Sequence, residues 1–178
     1  MRIWTVGHST RPLDDFLATL APYGIELVAD VRRFPGSRAH PQFAQAALEA
    51  GLEAAGIEYL ALPALGGRRR ARSDAASAWR NKAFQGYAEH LESEEFAAGL
   101  FELTMAAGGL RTAVMCAEIL WWRCHRRLIA DVLVAQGAEV VHIMEAAASR
   151  PHRLLPPARL VRGVLTYDRT RRSTTSAA

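Results

Sequence analysis

Both cysteines of this 178-residue chain fall in one short stretch, Met115-Cys116-Ala117-Glu118 followed by Arg123-Cys124-His125-Arg126-Arg127. That stretch also holds a carboxylate, an imidazole and three arginines. A thiolate is a nucleophile and a soft metal ligand. A carboxylate or imidazole beside it can move a proton, and an arginine fork grips phosphate. Cys116 is the candidate nucleophile. It ends an apolar run, Thr112–Met115, and faces the start of a helical pattern, so a lowered pKa is expected from helix-terminal N–H groups and nearby arginines. The competing reading is a small buried apolar residue. Glu118 is the candidate general acid or base, or else a carboxylate favoured by the helix dipole. Cys124 is read as core or supporting, with resolving thiol or second ligand as alternatives. His125 is a base, a ligand or a capping group. Arg123 and Arg126 are candidate phosphate contacts.

The elements that must position these groups alternate between strand and helix. Apolar runs predict strands at Ile3–Val6, Leu27–Val31, Glu58–Leu62, Thr112–Met115 and Glu139–Ile143. Leu13, Phe16, Leu17 and Leu20 mark one helix face, with Ser9 or Thr10 as its cap and Asp14 and Asp15 in its first turn. Further helices are predicted over about 43–55, around Phe84, Tyr87 and Leu91, after a Ser93 cap, and from Cys124 to Gly137. Leu160-Val161 and Val164-Leu165 flank Arg162-Gly163 as a small hairpin. The pattern predicts a single α/β domain over 1–168, with a mostly parallel five-stranded sheet covered by helices on both faces, and a flexible polar tail over 169–178. The segment 73–77 reads as a mobile loop.

Ligands of such sheets bind beyond the carboxyl ends of the strands. That rule adds His8 after Gly7 as a candidate catalytic or orienting group, and Ser9, Asp30, Arg32 and the basic-loop residue Arg38 as candidate substrate or phosphate contacts. Asp30 and Arg32 share a strand face and can simply pair. His142 reads as a satisfied core histidine, and His40, His90 and His152 as surface residues. Phe34, Trp121 and Trp122 are candidate stacking groups, or core and interface anchors.

Composition is less informative. There are 22 Lys+Arg against 18 Asp+Glu, a formal net charge of +4, and Lys82 is the one lysine. The clusters at Arg68-Arg69-Arg70 with Arg72, and at Arg123, Arg126 and Arg127, matter more than the total. No apolar run approaches the roughly 18 residues of a membrane span. The first residues lack a signal-peptide pattern, so a cytoplasmic chain with reduced thiols and no membrane partner is expected. No GxGxxG follows the first strand and no GxxxxGK[ST] occurs, so neither a dinucleotide cofactor nor a P-loop is indicated.

The chain resembles the DUF488 family of uncharacterised small bacterial and archaeal proteins. The residues that carry the likeness are Thr5-Val6-Gly7-His8-Ser9, Val28-Ala29-Asp30-Val31-Arg32, Phe34-Pro35-Gly36-Ser37, Pro41-Gln42-Phe43, Gly56-Ile57-Glu58-Tyr59, Leu65-Gly66-Gly67, Met115-Cys116-Ala117-Glu118, Arg123-Cys124-His125-Arg126 and Val140-Val141-His142-Ile143. The resemblance implies a Rossmann-like α/β domain and no settled reaction. At Ile119-Leu120-Trp121-Trp122, where relatives usually carry polar residues, this chain has an apolar rim.

Three functions fit these residues. The first is an enzyme on a phosphate-bearing substrate, a nucleotide or nucleic acid, using Cys116 and Glu118 with arginine clamps. The second is a zinc or iron site with Cys116, Cys124 and His125 as candidate ligands, joined by His8, although Cys-x7-Cys-His is not a familiar zinc spacing. The third is a non-enzymatic module that binds nucleic acid or a partner through its basic loops. The first is the reading preferred here.

Overall fold

The computed structural model describes residues 1–36, 39–72 and 78–167. Arg38, the expected loop over 73–77 and the expected tail over 169–178 lie outside the described residues.

Five parallel strands form the body of one sheet: β1 (Arg2–Gly7), β2 (Leu27–Asp30), β3 (Glu58–Ala61), β4 (Thr112–Cys116) and β5 (Glu139–Glu145). A sixth strand, β6 (Ala148–Pro151), runs antiparallel to β5 and corrects the expected count of five. Its sequence, Ala-Ser-Arg-Pro, is exposed throughout. It therefore shows no apolar alternation, and its proline suits an edge. The order is β3-β2-β4-β1-β5-β6.

That order decides where the chemistry sits. β4 lies between β2 and β1, in register from Gly7 opposite Cys116 to Asp30 opposite Met115. The chain leaving β1 therefore runs beside the chain leaving β4. His8 N–H donates to Cys116 O at 3.0 Å, and Ser9 N–H to Ala117 O at 2.9 Å. Gly7 permits the approach, because a Cβ there would meet Glu118 O at 2.2 Å.

Helices cover both faces. α1 (Leu13–Leu20) and α2 (Gln45–Ala54) lie on one face, where Phe16, Leu20, Leu48 and Leu52 pack with Trp4, Val6, Val28 and Met115. α3 (Lys82–His90), α4 (Glu94–Ala107) and α5 (Arg126–Ala135) lie on the other, where Tyr87, Phe96, Leu103, Leu128 and Leu133 pack with Ile3, Ala29, Val31 and Val114. Each buried Val, Leu, Ile, Phe or Met among them contributes about 1.5–3 kcal/mol by leaving water. α4 has its expected cap, since Phe96 N–H donates to Ser93 Oγ at 3.1 Å. α1 does not: it follows Pro12, with no side-chain cap from Ser9 or Thr10. A 3-10 turn at Pro41–Phe43 precedes α2, where the sequence suggested one helix from 43. The expected hairpin is present as β7 (Arg159–Val161) and β8 (Val164–Thr166), with Arg162 and Gly163 at φ 53° and 80°. Among the described residues no helix is long and apolar enough to cross a membrane.

Candidate functional site

β4 delivers Cys116 to the edge of the sheet, and a short connection with a 3-10 turn at Trp121–Arg123 returns the chain to Cys124 and His125, just before α5. Cys116 and Cys124 are 8% and 4% exposed, and both are free thiols. His125 Nδ1 lies 3.6 Å from Cys124 Sγ and 3.9 Å from Cys116 Sγ. The three donor atoms all lie within 4.8 Å of one another.

The tautomer of His125 follows from its other contact. Nε2 lies 3.1 Å from Val31 O, and a carbonyl only accepts, so Nε2 carries the proton. In the neutral ring Nδ1 then presents its lone pair to the sulfurs, and in the protonated ring it donates to the nearer one, Cys124. Gly67 makes room for this ring, since a Cβ there would meet Nδ1 at 2.7 Å.

The two thiols do not titrate alike. Contact with Cys124 and burial push Cys116 well above the ordinary thiol range. Burial also opposes charge on Cys124, but the hydrogen bond from Cys116, the neighbouring His125 and the Arg126 guanidinium together hold it well below that range. The lowered pKa expected for Cys116 thus belongs to Cys124. The physical reason is sharing: two adjacent thiols lose one proton easily and the second with difficulty, and the charge settles on the sulfur nearer His125.

These three side chains lie in the wall of a cavity of about 380 Å³, within the usual range for small-molecule sites. Arg32, Tyr87, Phe84 and Gly67 line it, while Arg33, Phe34, Arg68, Asn81, Glu118 and Arg123 are its exposed rim. Arg33 donates to Arg68 O at 3.3 Å and sits 5.6 Å over the Phe34 ring. Among the described residues the Arg68 and Arg123 side chains have no hydrogen-bond or ion-pair partner. Glu118 accepts from Leu120 N–H at 3.0 Å.

Of the remaining expected site residues that are described, Arg32 alone reaches the cavity wall. Arg32 spends its fork on Asp30 at 2.6–3.0 Å and on Phe43 O at 2.7 Å. It also donates to His8 Nε2 at 3.2 Å, while His8 Nδ1–H donates to Ser9 O. Tyr59 OH donates to Asp30 at 2.9 Å. His8 stacks on Phe43 at 4.0 Å. Burial first, and then the Arg32 charge, lower its pKa to about 4. His8, Ser9 and Asp30 are absent from the cavity wall. Arg126 is 1% exposed and holds the carbonyls of Glu118 and Ile119, bracing the connection from beneath.

Sequence reasoning passed over Arg33, Gly67, Phe84 and Tyr87. The signal for Gly67 was the Gly66-Gly67 pair after β3; α3 is too short a pattern to say which face Tyr87 presents. Reasoning also missed a second polar network. Thr5 Oγ donates to His142 Nδ1 at 2.7 Å, His142 Nε2–H to His152 Nδ1 at 2.9 Å, and His152 Nε2–H to Asp131 at 2.8 Å. Trp121 stacks on His142 at 4.0 Å, so half of the apolar rim pair is core and Trp122 alone is exposed. His152 and His90, read as surface residues, are 9% and 7% exposed: His152 bonds to the buried Asp131 and His142, and His90 to Ala64 O and Ser93 Oγ.

A family model described as "Domain of unknown function DUF488" matches residues 12–133, more than half of the chain. No curated protein and no solved structure gives a match.

Proposed function

Since the chain belongs to the DUF488 family, whose description names no activity, we propose its function from the cavity: an enzyme acting on a phosphate-bearing substrate, a nucleotide or nucleic acid. One observation carries this reading, that three exposed arginines, Arg33, Arg68 and Arg123, rim a cavity whose wall holds two thiols and an imidazole lone pair. The arginines hold phosphate in bidentate fashion. Phe34 and Phe84 give a base or sugar an apolar wall. The reacting bond lies over Cys116, Cys124 and His125, with Glu118 on the rim to exchange a proton with solvent. The buried arginines contribute differently. Arg32 and Arg126 shape the two chain crossings instead of gripping ligand, because Arg32 has spent its fork on Asp30, Phe43 O and His8, and Arg126 is 1% exposed with its Nη2 on the carbonyls of Glu118 and Ile119.

The same reading takes the fold as Rossmann-like in the broad sense, with ligand groups at the carboxyl ends of parallel strands. It takes the compartment as a reducing one such as the cytoplasm, where free thiols persist.

Calorimetric titration with nucleoside monophosphates, short RNA and the matching unphosphorylated nucleosides tests it. Preferential binding of the phosphorylated forms is expected, lost in the triple variant Arg33→Ala, Arg68→Ala, Arg123→Ala, with turnover of the bound compound lost in Cys124→Ala. Equal affinity for phosphorylated and unphosphorylated ligands would sink the reading. Salt-sensitive binding of RNA with no turnover, unaffected by Cys124→Ala, would instead make the protein a non-enzymatic nucleic-acid module.

A further inference from the structure

We propose that Cys116, Cys124 and His125 form a zinc site whose fourth coordination position opens into the cavity. The inference deepens the reading above by naming what acts on the phosphate-bearing substrate, and only its catalytic part rests on that reading.

Spacing is the first ground. Zinc binds thiolate at about 2.3 Å and imidazole nitrogen at about 2.0–2.1 Å, tetrahedrally, which sets sulfur and nitrogen ligands about 3.6 Å apart. The two sulfur-to-Nδ1 distances are 3.6 and 3.9 Å. All three donors fall within 4.8 Å, so a closure of a few tenths of an ångström to about 1 Å completes the triangle.

Orientation is the second ground and is independent of the first. A ligating histidine usually donates its other ring N–H to a carbonyl or carboxylate, which aims the lone pair at the metal. His125 does this through Nε2–H to Val31 O. Val31 belongs to the segment that leaves β2, so the carbonyl that aims the ring comes from a different part of the chain. Gly67 clears the ring's other side. A thiol pair held for packing alone needs neither device.

Donor chemistry is the third. Two thiolates and one imidazole suit zinc, and three protein ligands leave its fourth position for water or substrate, as in catalytic zinc sites. Binding needs both sulfurs as thiolates and a bare Nδ1, so every proton that these three atoms carry leaves to solvent. The fourth position faces the cavity because all three donors line it. A phosphate oxygen anchored by Arg33, Arg68 and Arg123 can reach that position, where the ion acts as a Lewis acid or activates a water. Glu118 stands on the exposed rim of the same cavity.

The full-length protein, purified under reducing conditions without chelator, should retain one zinc per chain by elemental analysis. After zinc is replaced with cobalt(II), strong thiolate-to-cobalt charge transfer and intense tetrahedral bands are expected. The charge-transfer intensity should fall by about half in Cys116→Ser. In competition with a chromophoric chelator, Cys124→Ser should bind zinc at least about 100-fold more weakly. Equal zinc affinity in wild type, Cys116→Ser and Cys124→Ser would overturn the proposal. Should Cys124→Ser fail to fold, the wild-type cobalt spectrum decides: a weak octahedral spectrum without charge transfer overturns it. Ligand binding by the wild type separates the two readings. Zinc retained with no preference for phosphate ligands in the wild type removes the substrate reading and leaves the metal site, whereas phosphate binding without zinc removes the metal site alone.

Discussion

Two polar clusters sit at the same sheet edge, one on each face, and they differ in how much bonding capacity each has spent. In the cluster of His8, Arg32, Asp30 and Tyr59, each named donor has an acceptor. Asp30 takes bonds on both oxygens, Arg32 divides its fork between Asp30, Phe43 O and His8, and His8 uses both nitrogens. In the cluster of Cys116, Cys124 and His125, one ring nitrogen is committed to Val31 O, and the sulfurs and the other ring nitrogen engage one another in the wall of a cavity. Saturation makes a buried ion pair a structural clamp, since low dielectric strengthens partners already in place. Unspent valence beside an opening is what a ligand requires. The clamp thus holds the ends of β1 and β2 so that the open cluster keeps its geometry.

The largest expected effect tests the clamp. Arg32→Met leaves the Asp30 carboxylate buried without its cation, which costs about 3–5 kcal/mol. Urea unfolding should register it. A loss below about 1 kcal/mol would mean that the clamp is ornamental and the contrast between the clusters false.

Acid comes next. Burial lowers His8 to about 4 and His142 to about 2. Both stay neutral in the fold, whereas the unfolded chain takes up protons near the ordinary value of about 6.5. Stability from this source is complete above that pH and declines as pH falls through 6.5 toward 4, by about 2 kcal/mol for each histidine at pH 5. Comparing urea midpoints at pH 7 and pH 5 in wild type and His8→Gln checks this, and the variant should show the shallower decline. An unchanged slope would remove His8 from the saturated cluster's account.

Smaller still is Gly67→Ala, which drives a methyl toward His125 Nδ1. A stability loss of about 1–3 kcal/mol from overpacking is expected, with a tenfold or greater weakening of zinc binding. Retained zinc affinity would show that the ring has slack and the open cluster is less ordered than its geometry suggests. The smallest stability effect belongs to Arg123→Ala, within about 0.5 kcal/mol because the side chain is exposed. Its affinity for a phosphate ligand should nevertheless fall, and a variant that lost stability but kept affinity would invert the comparison.

The open cluster was largely legible in the sequence. Cys116, Glu118, Arg123, Cys124 and His125 lie close along the chain, and an apolar run followed by a helical pattern marks their junction. The clamp was half legible: the Asp30–Arg32 pairing follows from strand alternation, but Phe43 and Tyr59 enter from other elements. Of the chain of Thr5, His142, His152 and Asp131, only the burial of His142 was legible, from its apolar strand. The partners are spread over the sequence, and His152, with ordinary surface flanks, gave no sign of burial.

Local periodicity, breaker residues and the crowding of reactive side chains into one stretch were enough to determine the five parallel strands, the main helices and the stretch that carries the candidate site, because those properties depend on near neighbours. What only the tertiary structure decided was which groups have partners. The position of β4 between β2 and β1 set His8 beside Cys116. It let Val31 O fix the tautomer of His125, placed the lower thiol pKa on Cys124, and left Arg33, Arg68 and Arg123 on the rim while Arg32 and Arg126 were enclosed. Hydrogen bonding and charge act through a few ångströms of space, and strand order determines which distant residues share that space.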